Sequence, residues 1–270
     1  MEDSIYEDNK GQWTPARLRQ EIRSGMMSGP TAGYCDGYAQ ANLVILPQKY
    51  AYDFLLFAQR NPRSCPLLEV TDVGSGSLNY LANGADIYTD LPKYRVYENG
   101  SLTGEFAEVT HLRRSDLVGF LIGCSFSFEA ELIEAGVPVR HIEEGKNVPM
   151  YLTKVACKEA GIFSGNMVVS MRPIPYEKLS TCVSVTAGMS RVHGAPLFIG
   201  DPEKIGIKDI NKPDFGDSVT IHPGEVPVFW ACGVTPQAVL MKSCPDFAIT
   251  HAPGHMFVSD VKNVALKYEY

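Results

Sequence analysis

A polar bend between two apolar segments is the feature that most constrains this chain. Residues 123–129, with the sequence GCSFSFE, follow the apolar run 117–122 and precede the helix-like segment 130–135. Gly123 has no side chain, so the backbone can turn sharply there or let a ligand approach. A serine that opens the following helix would direct free N–H groups and the positive end of the helix dipole into one small volume. The bend therefore predicts an anion site, although a buried turn followed by an N-cap fits the same pattern.

Four side chains of the bend are candidate site residues. Cys124, Ser125 and Ser127 bring a thiol and two hydroxyls to one turn. Glu129, in the first turn of the predicted helix, is a candidate proton donor or acceptor. A carboxylate at this position also favours the helix electrostatically without any chemical role, so the bend alone does not decide between these functions.

The order of apolar runs and turn signals predicts an α/β protein. The apolar run 43–46 before Pro47 is typical of a buried parallel strand, and Asn99-Gly100 predicts the turn of a hairpin. Helices are expected at residues 16–24, 50–58, 116–122, 175–187 and after Thr235. Further strands are expected at residues 137–142, 148–153, 167–171, 195–200, 218–221, 226–231, 247–250 and 256–259.

These elements predict a mixed sheet with helices on both faces and a smaller α+β subdomain. We assign residues 1–122 and 206–270 to the main α/β lobe and residues 123–205 to the subdomain, as a single functional unit. The Gly-rich piece at residues 74–76 lacks the spacing of a phosphate loop, so no nucleotide site is predicted there.

Charge and composition favour a small ligand. The net charge of -7 argues against nucleic acid or an acidic membrane as a partner, because both attract basic surfaces. No window has the roughly 18 consecutive apolar residues of a spanning helix, and the first four residues lack the pattern of a signal peptide. We therefore expect a cytoplasmic protein.

The 7 scattered cysteines contain no C-x-x-C pair, which favours reduced thiols, most of them in the core. Cys232 follows an apolar strand and fits core packing.

Three arginines and two histidines are candidates for the site. Arg95, Arg140 and Arg172 lie beside predicted strand ends, where a guanidinium can hold a substrate carboxylate through two parallel bonds, or form a structural ion pair. His193 and His251 lie next to glycine or alanine-proline in loops, where a ring can face a cleft and transfer protons, or bond to backbone.

No metal or other cofactor is predicted. His251 and His255 have the spacing of a helical zinc pair, but Pro253-Gly254 between them prevents that helix. A third ligand does not stand nearby in the sequence.

Long motifs stand in a fixed order at residues 37–47, 89–97, 123–129, 148–151, 168–173, 193–196, 225–237 and 251–254. They resemble the hydro-lyase family related to the D-glutamate cyclase domain of animal mitochondria, and the similarity covers residues 14–260. Tyr88 and Phe198 depart from it, since relatives often have arginine and histidine there.

The resemblance implies an α/β structure and a cofactor-independent carbon–oxygen lyase acting on a small amino or hydroxy acid. The best single reaction is closure of D-glutamate to 5-oxo-D-proline. Glu129 or His251 would take the amine proton, and His193 would protonate the leaving oxygen. The Cys124–Ser125 bend would hold the oxyanion, and Arg172 the α-carboxylate.

Two alternatives stay open at this point. Cys124 is also a candidate covalent nucleophile for amide or acyl transfer, activated by the helix terminus and a histidine. A carboxylate-binding module without turnover is the other alternative. A homo-oligomer is a further expectation.

Overall fold

The structure is a computed structural model and describes residues 10–267, which form two antiparallel sheets and six α-helices. The strands are β1 Tyr38–Pro47, β2 Leu67–Val70, β3 Tyr94–Glu98, β4 Ser101–Phe106, β5 Leu117–Gly123, β6 Met150–Ala156, β7 Asn166–Pro175, β8 Phe198–Ile199, β9 Glu225–Ala231, β10 Ala248–His251 and β11 Phe257–Lys262. The helices are α1 Pro15–Arg23, α2 Gln48–Arg60, α3 Phe126–Glu134, α4 Arg140–Glu143, α5 Leu179–Ala187 and α6 Thr235–Ser243. The predicted α/β class is confirmed.

Strand β1 is the centre of the first sheet, whose order is β2-β5-β1-β10-β3-β4, with β11 also paired to β1. Its partners β5, β10 and β11 are all antiparallel to it, as is every strand pairing between residues 10 and 267. The parallel strand expected at residues 43–46 is therefore wrong. The apolar run is continuous because both faces of β1 are buried, and this does not require parallel neighbours.

The side chains of β1 alternate between two cores. Leu43 and Ile45 lie in one core, which includes residues of α3 and α5. Val44 and Leu46 lie in the other, with residues of α2 and α6. Helices thus cover both faces of the sheet, as predicted.

The second sheet has the order β6-β7-β9-β8. It takes β9 from beyond residue 205, so it crosses the boundary expected between the two lobes. Trp230 of β9 lies in the same core as Leu43 of β1, which joins the two sheets. The division into residues 1–122 with 206–270 and residues 123–205 stays a prediction, and residues 1–9 and 268–270 lie outside the described part of the chain.

The segment that leads into the bend is a strand, and the expected helix at residues 116–122 is wrong. All residues of β5 are buried, and the strand lies between β1 and β2. A run such as Leu-Val-Gly-Phe-Leu-Ile has no polar face, so periodicity cannot separate a buried strand from a buried helix.

Two other expected strands are also absent from the described residues. Residues 137–142 instead contain the short helix α4. The alternation of Val137 and Val139 suggested a strand, but Ile142 does not continue it and is exposed. Residues 218–221 have no strand partner; the Thr220 N–H donates to Glu144 Oε1 at 3.0 Å, so a side chain satisfies this backbone group.

Several local predictions are confirmed. Thr14 caps α1, since its hydroxyl accepts the Arg17 N–H at 3.2 Å. The turn of the β3–β4 hairpin has φ of 49° at Asn99 and 77° at Gly100, the left-handed pair that Asn-Gly favours. No helix between residues 10 and 267 combines the length and the apolar character that crossing a bilayer requires.

Candidate functional site

The bend opens onto a small pocket. Cys124 and Ser125 line it from the bend, His251 from the end of β10, and Cys232 from the residue after β9. The remaining lining residues are Asn42, Phe126, Asn147, Val148, Met150, Gly233, Val234, Gly254 and Met256. Few of these groups are polar, which is typical of a site for a small molecule.

Helix α3 begins directly at the pocket, with Ser125 as its N-cap residue. Its φ of -63° and ψ of -19° are helical, and within residues 10–267 its side chain makes no capping hydrogen bond. The hydroxyl instead accepts a hydrogen bond from Arg172 Nη2 at 3.1 Å. This bond orients the Ser125 oxygen. Phe126, the first residue of α3, also lines the pocket, whereas the Ser127 and Phe128 N–H groups donate to the Cys124 and Ser125 carbonyl oxygens at 3.1 and 3.2 Å.

Behind Ser125 lies a buried charge cluster. Arg172 is 0% exposed, and its Nε donates to Glu129 Oε1 at 3.1 Å, with a further bond from Nη2 to the same oxygen. Nη1 donates to Ser170 Oγ at 3.1 Å. His141 Nε2 lies 3.2 Å from Glu129 Oε1. Arg172 was expected to bind the substrate carboxylate; the structure places it in this cluster, where its charge is already paired.

The cluster holds Glu129 in its ionised form. Burial raises the pKa of Glu129, but the charges and hydrogen bonds of His141 and Arg172 lower it by more. The net result is a pKa of about 2. A carboxylate with so low a pKa accepts protons poorly at neutral pH. Glu129 therefore holds Arg172, which in turn donates a hydrogen bond to Ser125.

His251 is the histidine that the structure brings to the pocket. Its Nδ1 lies 3.2 Å from the Leu43 N–H and 3.3 Å from the Leu43 carbonyl oxygen. Its buried Nε2 makes no hydrogen bond with any residue from 10 to 267. Burial lowers the pKa of His251 to about 4, so the ring is neutral at pH 7. In the tautomer in which Nδ1 accepts the Leu43 N–H, Nε2 carries the proton and can donate it.

His193 and Ser127 lie away from the pocket lining. His193 Nδ1 is 2.8 Å from the Arg63 carbonyl oxygen, and burial lowers the pKa of His193 to about 4. The Ser127 hydroxyl accepts the Gln40 N–H at 2.9 Å, which ties α3 to β1. Both side chains contact backbone groups, and His193 Nε2, like His251 Nε2, is buried without a hydrogen bond among residues 10–267; the roles expected for His193 and Ser127 stay predictions.

Arg95 and Arg140 form ion pairs elsewhere. Arg95 Nε donates to Glu105 Oε1 at 2.8 Å across the β3–β4 hairpin. Arg140 donates to Glu143 at 2.8 Å and to Glu225 at 2.5 Å. The structure thus brings Cys124, Ser125 and His251 together and leaves these two arginines outside the pocket.

Asn42 is a pocket residue that the sequence reasoning missed. Its Nδ2 donates to the carbonyl oxygens of Gly123 at 2.8 Å and Ile122 at 3.2 Å. On its other side, a Cβ on Gly233 would lie 2.0 Å from this nitrogen, so only glycine fits there. Asn42 therefore connects the turn after β5 with the turn after β9. An amide in the middle of a buried strand was the available signal, since buried polar groups need partners.

No group of three or more histidine, cysteine or acidic side chains between residues 10 and 267 is arranged to hold a metal ion. His255, four residues after His251, has its Nδ1 at 2.9 Å from the Pro253 carbonyl oxygen.

The family model of D-glutamate cyclase matches residues 118–260, more than half of the chain and most of the pocket lining. This chain belongs to the D-glutamate cyclase family. The family predicted from the motifs is thereby confirmed, and the chain is a member of a lyase family.

Curated relatives of this D-glutamate cyclase family member agree with that assignment. A protein of Clostridium beijerinckii named "Putative hydro-lyase" is 64% identical over 254 residues, which are 94% of this chain and 97% of the relative. Hydro-lyases so named from Thermoanaerobacter pseudethanolicus and Natranaerobius thermophilus are 60% and 58% identical, over 93% and 92% of this chain and 95% of each relative.

Proposed function

We propose that this protein is a cofactor-independent hydro-lyase that removes water from a small carboxylic acid, and that the best single reaction is D-glutamate to 5-oxo-D-proline. The observation that carries the proposal is the convergence of the Ser125 hydroxyl, the start of α3 and the unpartnered His251 Nε2 on one pocket. The family name supports the choice of substrate.

The proposed ring closure needs two protons to move. The substrate amine attacks the carbon of the side-chain carboxylate, so a C–N bond forms and one C–O bond breaks. The two protons lost by the ammonium group leave with that oxygen as water. The site must therefore relay protons and stabilise the oxyanion of the tetrahedral intermediate.

The pocket residues fit these two tasks. The Ser125 hydroxyl would supply a hydrogen bond, and the start of α3 a positive potential, for the oxyanion. The neutral His251 ring would pass a proton between the amine and the leaving oxygen. Arg172 would act indirectly, because it donates the hydrogen bond that orients the Ser125 hydroxyl. Dehydration of a hydroxy acid would use the same groups, with the proton taken from carbon instead of nitrogen.

Acyl transfer through Cys124 is a weaker candidate. Burial raises the pKa of the Cys124 thiol well above its usual range. The thiolate is the nucleophile in such reactions, so this environment disfavours a covalent acyl intermediate unless a positively charged ligand lies beside the sulfur.

The proposal includes the partners. We propose a small amino or hydroxy acid as ligand, without a cofactor, nucleic acid or a membrane surface as partner, in a cytoplasmic protein that forms a homo-oligomer. The acidic net charge of -7 supports a small ligand over nucleic acid.

The test is loss of one water, followed by mass spectrometry, after incubation of the protein with D-glutamate, L-glutamate and small hydroxy acids. Ser125→Ala should lower turnover about 10²–10³-fold, the usual effect of one oxyanion donor. Ser127→Ala is the matched control, since it removes a hydroxyl of the same bend that bonds Gln40, and it should retain turnover. Wild-type turnover in Ser125→Ala would contradict the proposed role.

A further inference from the structure

Two cysteines at the starts of two helices line the pocket. Cys124 lies between β5 and α3, and Cys232 lies between β9 and α6. The same local arrangement of strand, cysteine, small residue and helix start thus occurs twice.

The two thiols approach the pocket from different sheets. Asn42 lies between the two turns, in contact with Gly123 of the first and Gly233 of the second. Both cysteines are 6% exposed. An independent observation marks this space as a ligand site, because the buried His251 Nε2 on the same lining makes no hydrogen bond within the described residues.

We propose that Cys124 and Cys232 form a two-base pair that exchanges the Cα proton of an amino acid held in this pocket, which gives the protein a second activity, amino acid racemisation. The inference rests on the proposed function, since it takes the same small amino acid as its ligand.

The step balances without an oxidant or reductant. One cysteine, as a thiolate, removes the Cα proton and becomes a thiol, while the C–H electron pair delocalises into the carboxylate as an enediolate. The other thiol gives its proton to the opposite face of the carbon and becomes a thiolate. The positive ends of the α3 and α6 dipoles would stabilise the negative charge that develops on the carboxylate oxygens.

Electrostatics select an amino acid over a hydroxy acid for this step. Burial is the largest cause of the raised pKa values of both thiols, and the pKa of Cys232 is about 11. A neighbouring positive charge favours a thiolate, and Arg172 already acts in that direction on both cysteines. The ammonium group of an amino acid would bring a second positive charge between the thiols, which a hydroxy acid lacks.

The experiment incubates the protein in D₂O with D-glutamate and, separately, with L-glutamate. NMR of the recovered glutamate measures deuterium at Cα, chiral chromatography measures inversion, and mass spectrometry measures 5-oxoproline. We expect deuterium at Cα and the opposite enantiomer. Cys124→Ser and Cys232→Ser should each lower the rate of inversion at least about 10²-fold, because removal of a general base typically has that effect.

Cys157→Ser is the matched control. Cys157 is also 6% exposed and lies in a separate part of the core, so this variant should invert glutamate at the wild-type rate. Circular dichroism and thermal stabilisation by D-glutamate establish that each serine variant is folded and binds; alanine variants replace any that is not.

The outcomes separate this inference from the proposed function. Water loss without deuterium at Cα would overturn the two-base pair and leave the hydro-lyase proposal intact. Deuterium and inversion without water loss would support the pair and contradict the hydro-lyase reaction. Inversion that persists in both Cys124→Ser and Cys232→Ser would overturn the assignment of the bases.

Discussion

Glu129→Gln isolates the contribution of the buried charge cluster, because glutamine keeps the shape of the side chain and removes its charge. Arg172, which is 0% exposed, would then lack its counter-charge. The pKa of Glu129 falls from its ordinary 4.5 to about 2, and this difference corresponds to about 3 kcal/mol of stability. Breaking a buried ion pair costs about 3–5 kcal/mol in other proteins, so the two approaches agree.

The sign of the pH dependence follows from the lowered pKa. The unfolded chain binds a proton on Glu129 at about pH 4.5, whereas the folded protein does so only near pH 2. The contribution of Glu129 to stability is therefore complete above pH 4.5 and is lost as the pH falls toward 2. In Glu129→Gln this part of the acid dependence should be missing.

The assay is urea unfolding at pH 7 and at several values between pH 5 and 3. Glu143→Gln is the control, since Glu143 pairs with Arg140 at the surface with a 45% exposed side chain and should change stability by less than about 1 kcal/mol. A loss below about 1 kcal/mol in Glu129→Gln, or an unchanged acid dependence, would refute the reasoning. A double variant, Glu129→Leu with Arg172→Met, should recover most of the lost stability, since no unpaired charge remains.

Three further predictions concern single residues. Burial holds the pKa of His251 at about 4, so between pH 6.5 and 4 only the unfolded state binds the proton. Stability should therefore fall as the pH decreases through this range, and His251→Gln should reduce this slope in urea titrations. Gly233→Ala places a Cβ 2.0 Å from Asn42 Nδ2 and should cost about 1–3 kcal/mol in urea unfolding, whereas Gly29→Ala, with open space around it, should stay within about 0.5 kcal/mol. Arg95→Ala, which removes a partly exposed pair, should change stability by less than about 1 kcal/mol and leave turnover of D-glutamate unchanged; a clear loss of turnover would return Arg95 to the site.

The sequence predicted those elements that short-range physics determines. Thr14-Pro15 marks a helix start through one hydroxyl and one fixed φ, and Asn99-Gly100 marks a hairpin through two left-handed residues. The segment of β5 was predicted to be helical, because a segment that is buried on all sides has no periodic pattern of apolar and polar residues. The direction of the neighbours of β1 was also out of reach, because β10 and β11 come from the other end of the chain.

The site was predicted in part for the same reason. Cys124 and Ser125 share one bend, and the loop residues after His251 made a cleft position reasonable. The place of Arg172 depends on Glu129, which lies 43 residues away, and on His141 in a segment expected to be a strand. The pocket position of Cys232 could not be predicted either, because it depends on how the two sheets pack together.

The central position of β1 has a consequence for the order in which function arises during synthesis. Val44 pairs with Thr250, so the strand leaves the ribosome long before one of its partners exists. A nascent chain that stops before residue 248 contains β1, β5 and the two pocket cysteines, but it lacks His251. Catalytic competence should therefore arise abruptly, only once β10 and β11 have emerged and closed the sheet.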